Sequence, residues 1–91
     1  MNKNVIITRH AFQRIHGRGA DINLVRDIVT HQVPAVYIPS VQQTNVSIGV
    51  GNDGKYWAVV FREENWKVIT VRNANKTEVK IYDAKYSRPR N

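Results

Sequence analysis

The apolar residues of this chain change period once, and the change falls at Pro34. Before it, Ala11, Phe12 and Ile15 share one arc at 3.6 residues per turn. Ile22, Val25, Ile28 and Val29 repeat the pattern in a second segment. After Pro34 the period is 2. Val46, Ile48 and Val50 alternate in "TNVSIGV", and "KYWAVVFR" and "WKVITVR" are rich in β-branched and aromatic residues. A helical opening followed by a stranded remainder predicts an α+β fold. Two N-terminal helices should pack on one face of an antiparallel sheet of three to four strands.

The boundaries have local causes. Thr8 is a good N-cap for the first helix, and Gly17 or Gly19 can end it in a left-handed turn. Asp21 caps the second helix, and Pro34 limits its extent because the residue before a proline disfavours helix. "PAVYIP" reads as an edge strand flanked by prolines. "GNDG" at 51–54 is a hairpin turn, and "EEN" at 63–65 offers another. Strict alternation in "WKVITVR" predicts Trp66, Val68, Thr70 and Arg72 on one face. Lys67, Ile69, Val71 and Asn73 then fall on the other. Residues 76–85 fit a short C-terminal helix or turn or, less well, a strand built on Val79 and Ile81. The tail at 86–91, "YSRPRN", reads as a loose basic end. A single domain over residues 1–91 is expected at this length.

Charge narrows the partner class. Fourteen Lys and Arg against seven Asp and Glu give +7. The excess is uneven: Lys3, Arg9, Arg14 and Arg18 precede the first acid at Asp21, and Lys85, Arg88 and Arg90 close the chain. Such a bias points to a polyanionic partner: nucleic acid, an acidic protein or an anionic membrane surface. No cysteine is present, which removes disulfides, thiolate metal sites and cysteine nucleophiles. No membrane-length apolar stretch and no signal-peptide pattern occurs in the sequence, so a cytoplasmic protein without membrane contact is expected.

The stretch "ITRHAFQRIHGRG" carries the densest chemistry. His10 and Arg14 are four apart on the first helix and therefore neighbours. Histidine exchanges a proton near neutral pH, and arginine presents a fork of donors that fits phosphate oxygens. The pair suits phosphodiester chemistry; the plainer reading is a solvated basic helix edge. His16, six residues from His10, lies on the other flank, so the two do not converge on a metal. No metal and no cofactor is expected. Arg18 in "GRG" can reach a phosphate from the helix-ending turn, one turn beyond Arg14. Thr70 and Arg72 can line a cleft, or form the polar end of a strand. Tyr82 can stack on a base or simply pack. Glu63 and Glu64 read as a solvated turn, and the two tryptophans as packing residues.

The order "TRHAFQRIHGRGADINLVRDIV", a variable region, then "YWAVVFREENWKVITVRNA" resembles small bacterial and phage domains that open with an HAxxR helix and an RG turn. They close on a strand with a "vvTv" segment. The end, "VITVRNANKTEVKIYDAKY", is similar to that of BrnT toxins, and both groups belong with the RelE and EndoU-like metal-independent ribonucleases. The resemblance spans about residues 5–83. It implies a curved sheet with the active cleft on its face beside the first helix, and a toxin that cleaves tRNA or mRNA. An antitoxin or immunity protein would neutralise it. On this sequence it marks His10, Arg14, Thr70 and Arg72 as catalytic. Arg9, Arg18, Lys67 and Tyr82 would bind RNA. In that chemistry the 2′-hydroxyl attacks the adjacent phosphate and leaves a 2′,3′-cyclic phosphate, with His10 moving the proton.

A non-catalytic module that binds nucleic acid or protein, such as a phage protein, fits the charge equally well. A helix-turn-helix reading is weaker, because Arg26 is the single basic residue of the second helix, "INLVRDIVTHQ".

Overall fold

A computed structural model describes residues 4–39 and 44–86. The elements run β1 (Ile6–Ile7), α1 (Arg9–Gly17), α2 (Ile22–Val29), β2 (Val36–Pro39), β3 (Asn45–Val50), β4 (Tyr56–Arg62), β5 (Lys67–Asn73) and α3 (Lys76–Tyr86). Among the described residues the fold is α+β, with three helices on a five-stranded mixed sheet ordered β1-β5-β4-β3-β2. Strands β2 to β5 form the expected antiparallel meander. The expected three to four strands become five, because β1 joins β5 in parallel: Ile6 pairs with Lys67 and Ile7 with Val68.

The sheet has two covered faces rather than one. On the first, α1 and α2 bury Ala11, Ile15, Val25, Ile28 and Val29 against Trp57, Val59, Phe61, Val68 and Val71. Each large apolar side chain buried this way contributes about 2 kcal/mol. Gly49 belongs to this face: a Cβ there would stand 2.6 Å from Ile28 Cγ1, so α2 can sit this close only over a glycine. Ser47, also buried here, donates to the Ile28 carbonyl at 3.2 Å and satisfies the end of α2. On the second face α3 crosses one end of the sheet. Tyr82 packs edge-on against Tyr56 of β4, Tyr56 donates to Asp83 at 2.6 Å, and Tyr86 donates to the Ala35 carbonyl at 3.0 Å.

A β-bulge reorders the faces of β5. Val68 pairs with Phe61 and Thr70 with Val60, which leaves Ile69 as an extra residue. Val68 and Val71 therefore share the first face, while Thr70 and Arg72 share the second, beside Val60 and Ala58. Strict alternation put Val68 with Thr70 and Arg72; the inserted residue breaks that grouping. Trp66 lies outside the strand altogether, in the turn before it.

The caps are as the sequence predicts. Thr8 Oγ1 accepts from Ala11 N at 3.1 Å and donates to the Val68 carbonyl at 2.9 Å, tying the start of α1 to β5. Asp21 Oδ1 accepts from Asn23 N at 2.8 Å. Both helices end in Schellman motifs. In α1, Ala20 N donates to Ile15 O and Gly19 N to His16 O, with Gly19 at φ 71°. In α2, Gln32 N donates to Asp27 O and His31 N to Ile28 O, with His31 at φ 58°. Among the described residues Trp66 is the other non-glycine residue with positive φ, at 53°. A side chain in this region costs about 1 kcal/mol, which glycine avoids. The helical alternative for the C-terminal segment is the one formed, over Lys76–Tyr86. The basic tail at 87–91 lies outside the described residues.

Candidate nucleic-acid interface

The outer edge of α1 is basic because its inner edge is consumed by packing. Ala11 and Ile15 are buried, and Arg9, His10, Gln13, Arg14, His16 and Arg18 are left exposed. Arg14 Nε donates to His10 Nε2 at 3.4 Å, a long contact that sets the two side chains side by side. His10, Gln13, Arg14, Gly17 and Arg18 line a hollow of about 290 Å³. His16 lies on the other flank and meets the Phe12 ring edge-on at 4.6 Å.

Electrostatically this edge is open. Among the described residues Arg9, Arg14 and Arg18 have no acidic partner within 4.0 Å. Arg14 and His16 stand in the last turn of α1, where the helix dipole favours cations. An anion in this hollow would meet side-chain donors rather than the free amides of a helix N-terminus. The hollow suits a phosphate oxygen with Arg14 and Arg18 as donors and the His10 ring alongside.

The second arginine site is closed. Arg72 Nη1 donates to Glu78 Oε1 at 2.7 Å and Nη2 to Oε2 at 2.8 Å. Glu78 is buried and also caps α3: its Oε1 accepts from Asn75 N at 2.9 Å, and Asn75 Oδ1 accepts from Glu78 N at 2.8 Å. The Arg72 hydrogen bonds, with the Asn75 backbone amide adding to them, hold the Glu78 carboxyl below its ordinary range against the opposing effect of burial. The same pairing raises the Arg72 pKa. Nothing in the arginine alone foretold this. The signal was "NKTE" at 75–78, a capping-box pattern that also puts a carboxylate six residues beyond Arg72.

The structure thus splits the residues that the sequence grouped. His10, Arg14 and Arg18 come together on α1, with Arg9 at the start of the same helix. Thr70 and Arg72 lie on the opposite face of the sheet and share no cleft with His10. Lys67 pairs with Arg62 and Ile6 and, next to Val68 along the strand, also points to that second face. Tyr82 is half-buried against Tyr56 and Tyr86 beneath α3. Among the described residues no group of three or more His, Cys, Asp or Glu side chains could hold a metal ion, and no helix is long and apolar enough to cross a membrane.

Comparison with known proteins gives no match: no family model, curated protein or solved structure is similar to this chain.

Proposed function

We propose that this chain is an RNA-binding domain that grips the phosphate backbone with the exposed edge of α1. The observation that carries the reading is the α1 hollow: Arg14, Arg18 and His10 converge there, and among the described residues no carboxylate neutralises the arginines. The net charge of +7 supplies the long-range attraction, and the hollow supplies the local contacts. The experiment is binding of a labelled oligoribonucleotide across a salt series. Replacing Arg9, Arg14 and Arg18 together with alanine should lower the salt slope by about 2, at roughly 0.7 per phosphate contact on a single strand. A salt slope the same as that of the unaltered protein would remove α1 from the interface.

A second reading rests on the His10–Arg14 contact. It is that the domain cleaves the RNA it binds, as a metal-independent endoribonuclease toxin acting on tRNA or mRNA, with an antitoxin or immunity protein as its natural partner. His10, its Nε2 released from Arg14, would take the 2′-hydroxyl proton, Arg14 would stabilise the charge growing on the phosphate, and the departing 5′-oxygen would take a proton from water, giving a 2′,3′-cyclic phosphate and a 5′-hydroxyl. Thr70 and Arg72 have no part in this version. Total RNA incubated with the protein in EDTA tests it: cleavage abolished by His10→Ala supports the enzyme, and intact RNA across pH leaves the domain as a binder.

A further inference from the structure

The two strained non-glycine residues, His31 and Trp66, line the same hollow. His31 occupies the left-handed position that ends α2, and Trp66 the left-handed position that ends the β4–β5 turn. Glycine fits both places without strain, and α1 uses Gly19 for the equivalent role. Here the backbone instead carries two large rings. Both border a hollow of about 300 Å³ at the end of α2, with Tyr37, Phe61 and Glu63. Strain kept where two side chains meet in one hollow is a pointer to a binding role.

The lining has the parts of a base-binding pocket. Trp66 is stacked on Phe61, with planes 12° apart and centroids 5.8 Å apart, and the Tyr37 ring is 6.2 Å from Phe61. Glu63 is oriented through one oxygen: Oε2 accepts from the Tyr37 hydroxyl at 2.7 Å and from Asn45 Nδ2 at 3.3 Å. The hydrogen bond to Glu63 pushes the Tyr37 phenol above its ordinary range. Among the described residues Oε1 has no donor. Hydrogen bonds tie the Trp66 turn to β1, and the strand that follows it to the start of α1. Ile6 N donates to Trp66 O at 2.9 Å, and two residues further along β5 Val68 accepts from the Thr8 cap.

We propose that this hollow binds one nucleobase of a single-stranded RNA, flat against its aromatic side chains, with an amino group of the base donating to Glu63 Oε1. The assignment rests on the RNA reading given above and names the part of the ligand that the α1 arginines do not touch. Aromatic rings accept any base by stacking; the carboxylate adds selectivity. Adenine, cytosine and guanine carry an exocyclic amino donor. Uracil has none, and its N3–H lies between two carbonyl oxygens that a carboxylate repels. A cationic ligand would also suit a carboxylate among aromatic rings, but a chain of net charge +7 repels it and attracts RNA.

The test compares fluorescently labelled hexa-adenylate, hexacytidylate and hexauridylate binding to the full chain at low salt. Hexauridylate should bind about tenfold more weakly than the other two, the scale of one hydrogen bond to a charged group. Glu63→Ala should erase that difference, by weakening hexa-adenylate and hexacytidylate and by relieving the repulsion of hexauridylate. His31→Gly relieves the backbone, so it should melt at a higher temperature and still bind hexa-adenylate several-fold more weakly. Equal affinity for the three oligomers overturns the proposal, as does a preference that survives Glu63→Ala. So does a His31→Gly variant that melts higher and binds as the unaltered protein does. No binding of any oligomer overturns the RNA reading itself, and this assignment with it.

Discussion

Arg14 and Arg72 are the same residue type in the two halves of the predicted site, and the fold uses them in opposite ways. Arg14 stands on an exposed helix edge beside a histidine, with no acid in reach among the described residues. Arg72 is held in a two-pronged ion pair with a buried glutamate that also caps a helix. The first is available to a ligand, whereas the second fastens α3 to the sheet. A basic residue in a sequence is therefore only half a statement about binding. The other half is where its nearest carboxylate lies once the chain has folded.

The largest effect that would sharpen this contrast belongs to Glu78. Glu78→Ala removes the α3 cap and leaves the Arg72 guanidinium without its partner. It should cost about 2–3 kcal/mol of stability in urea melts, while RNA affinity at low salt, measured on the folded protein, stays unchanged or rises. Thr8→Ala tests the frame that holds Arg14 in place. Losing the cap and the bond to Val68 should cost about 1–2 kcal/mol.

Acid should reveal the same pair. The Glu78 carboxyl is held below its ordinary value of 4.5, so its contribution is complete above that pH. It is lost as pH falls through the depressed folded value. Thermal melts from pH 6 down to pH 3 (roughly the range in which carboxylates lose their charge) should show this loss in the unaltered protein. Glu78→Gln should flatten part of it. A stability curve that Glu78→Gln leaves unaltered would remove the ion pair from the account. The smallest expected effect on stability is that of Arg14→Ala, within about 0.5 kcal/mol, because the residue is exposed and has no acidic partner among the described residues.

Much of this architecture was legible in the sequence, and the parts that were not have physical reasons. The period change at Pro34, the caps Thr8 and Asp21 and the turn at Gly51–Gly54 are local signals, and each forms as expected. β1 is two residues long and pairs across some sixty residues of chain, so no local pattern announces it. The bulge at Ile69 is one extra residue in an otherwise regular run, yet it decides which face Thr70 and Arg72 occupy. α3 has no strong apolar stripe to predict which side of the sheet it covers, although its capping box stood in the sequence at Asn75 and Glu78. For the candidate site, helical spacing sufficed for His10, Arg14 and Arg18, which share one element. It failed for residues on different elements, whose meeting depends on register.

The most direct test of the central contrast is the salt dependence of single-stranded RNA binding by Arg14→Ala and Arg72→Ala, each shown by circular dichroism to be folded. Arg14→Ala should weaken binding several-fold and reduce the slope of log affinity against log salt by about 0.7, whereas Arg72→Ala should leave that slope unchanged. An Arg72→Ala variant whose slope falls as much as that of Arg14→Ala would contradict the assignment of the anion to the α1 edge.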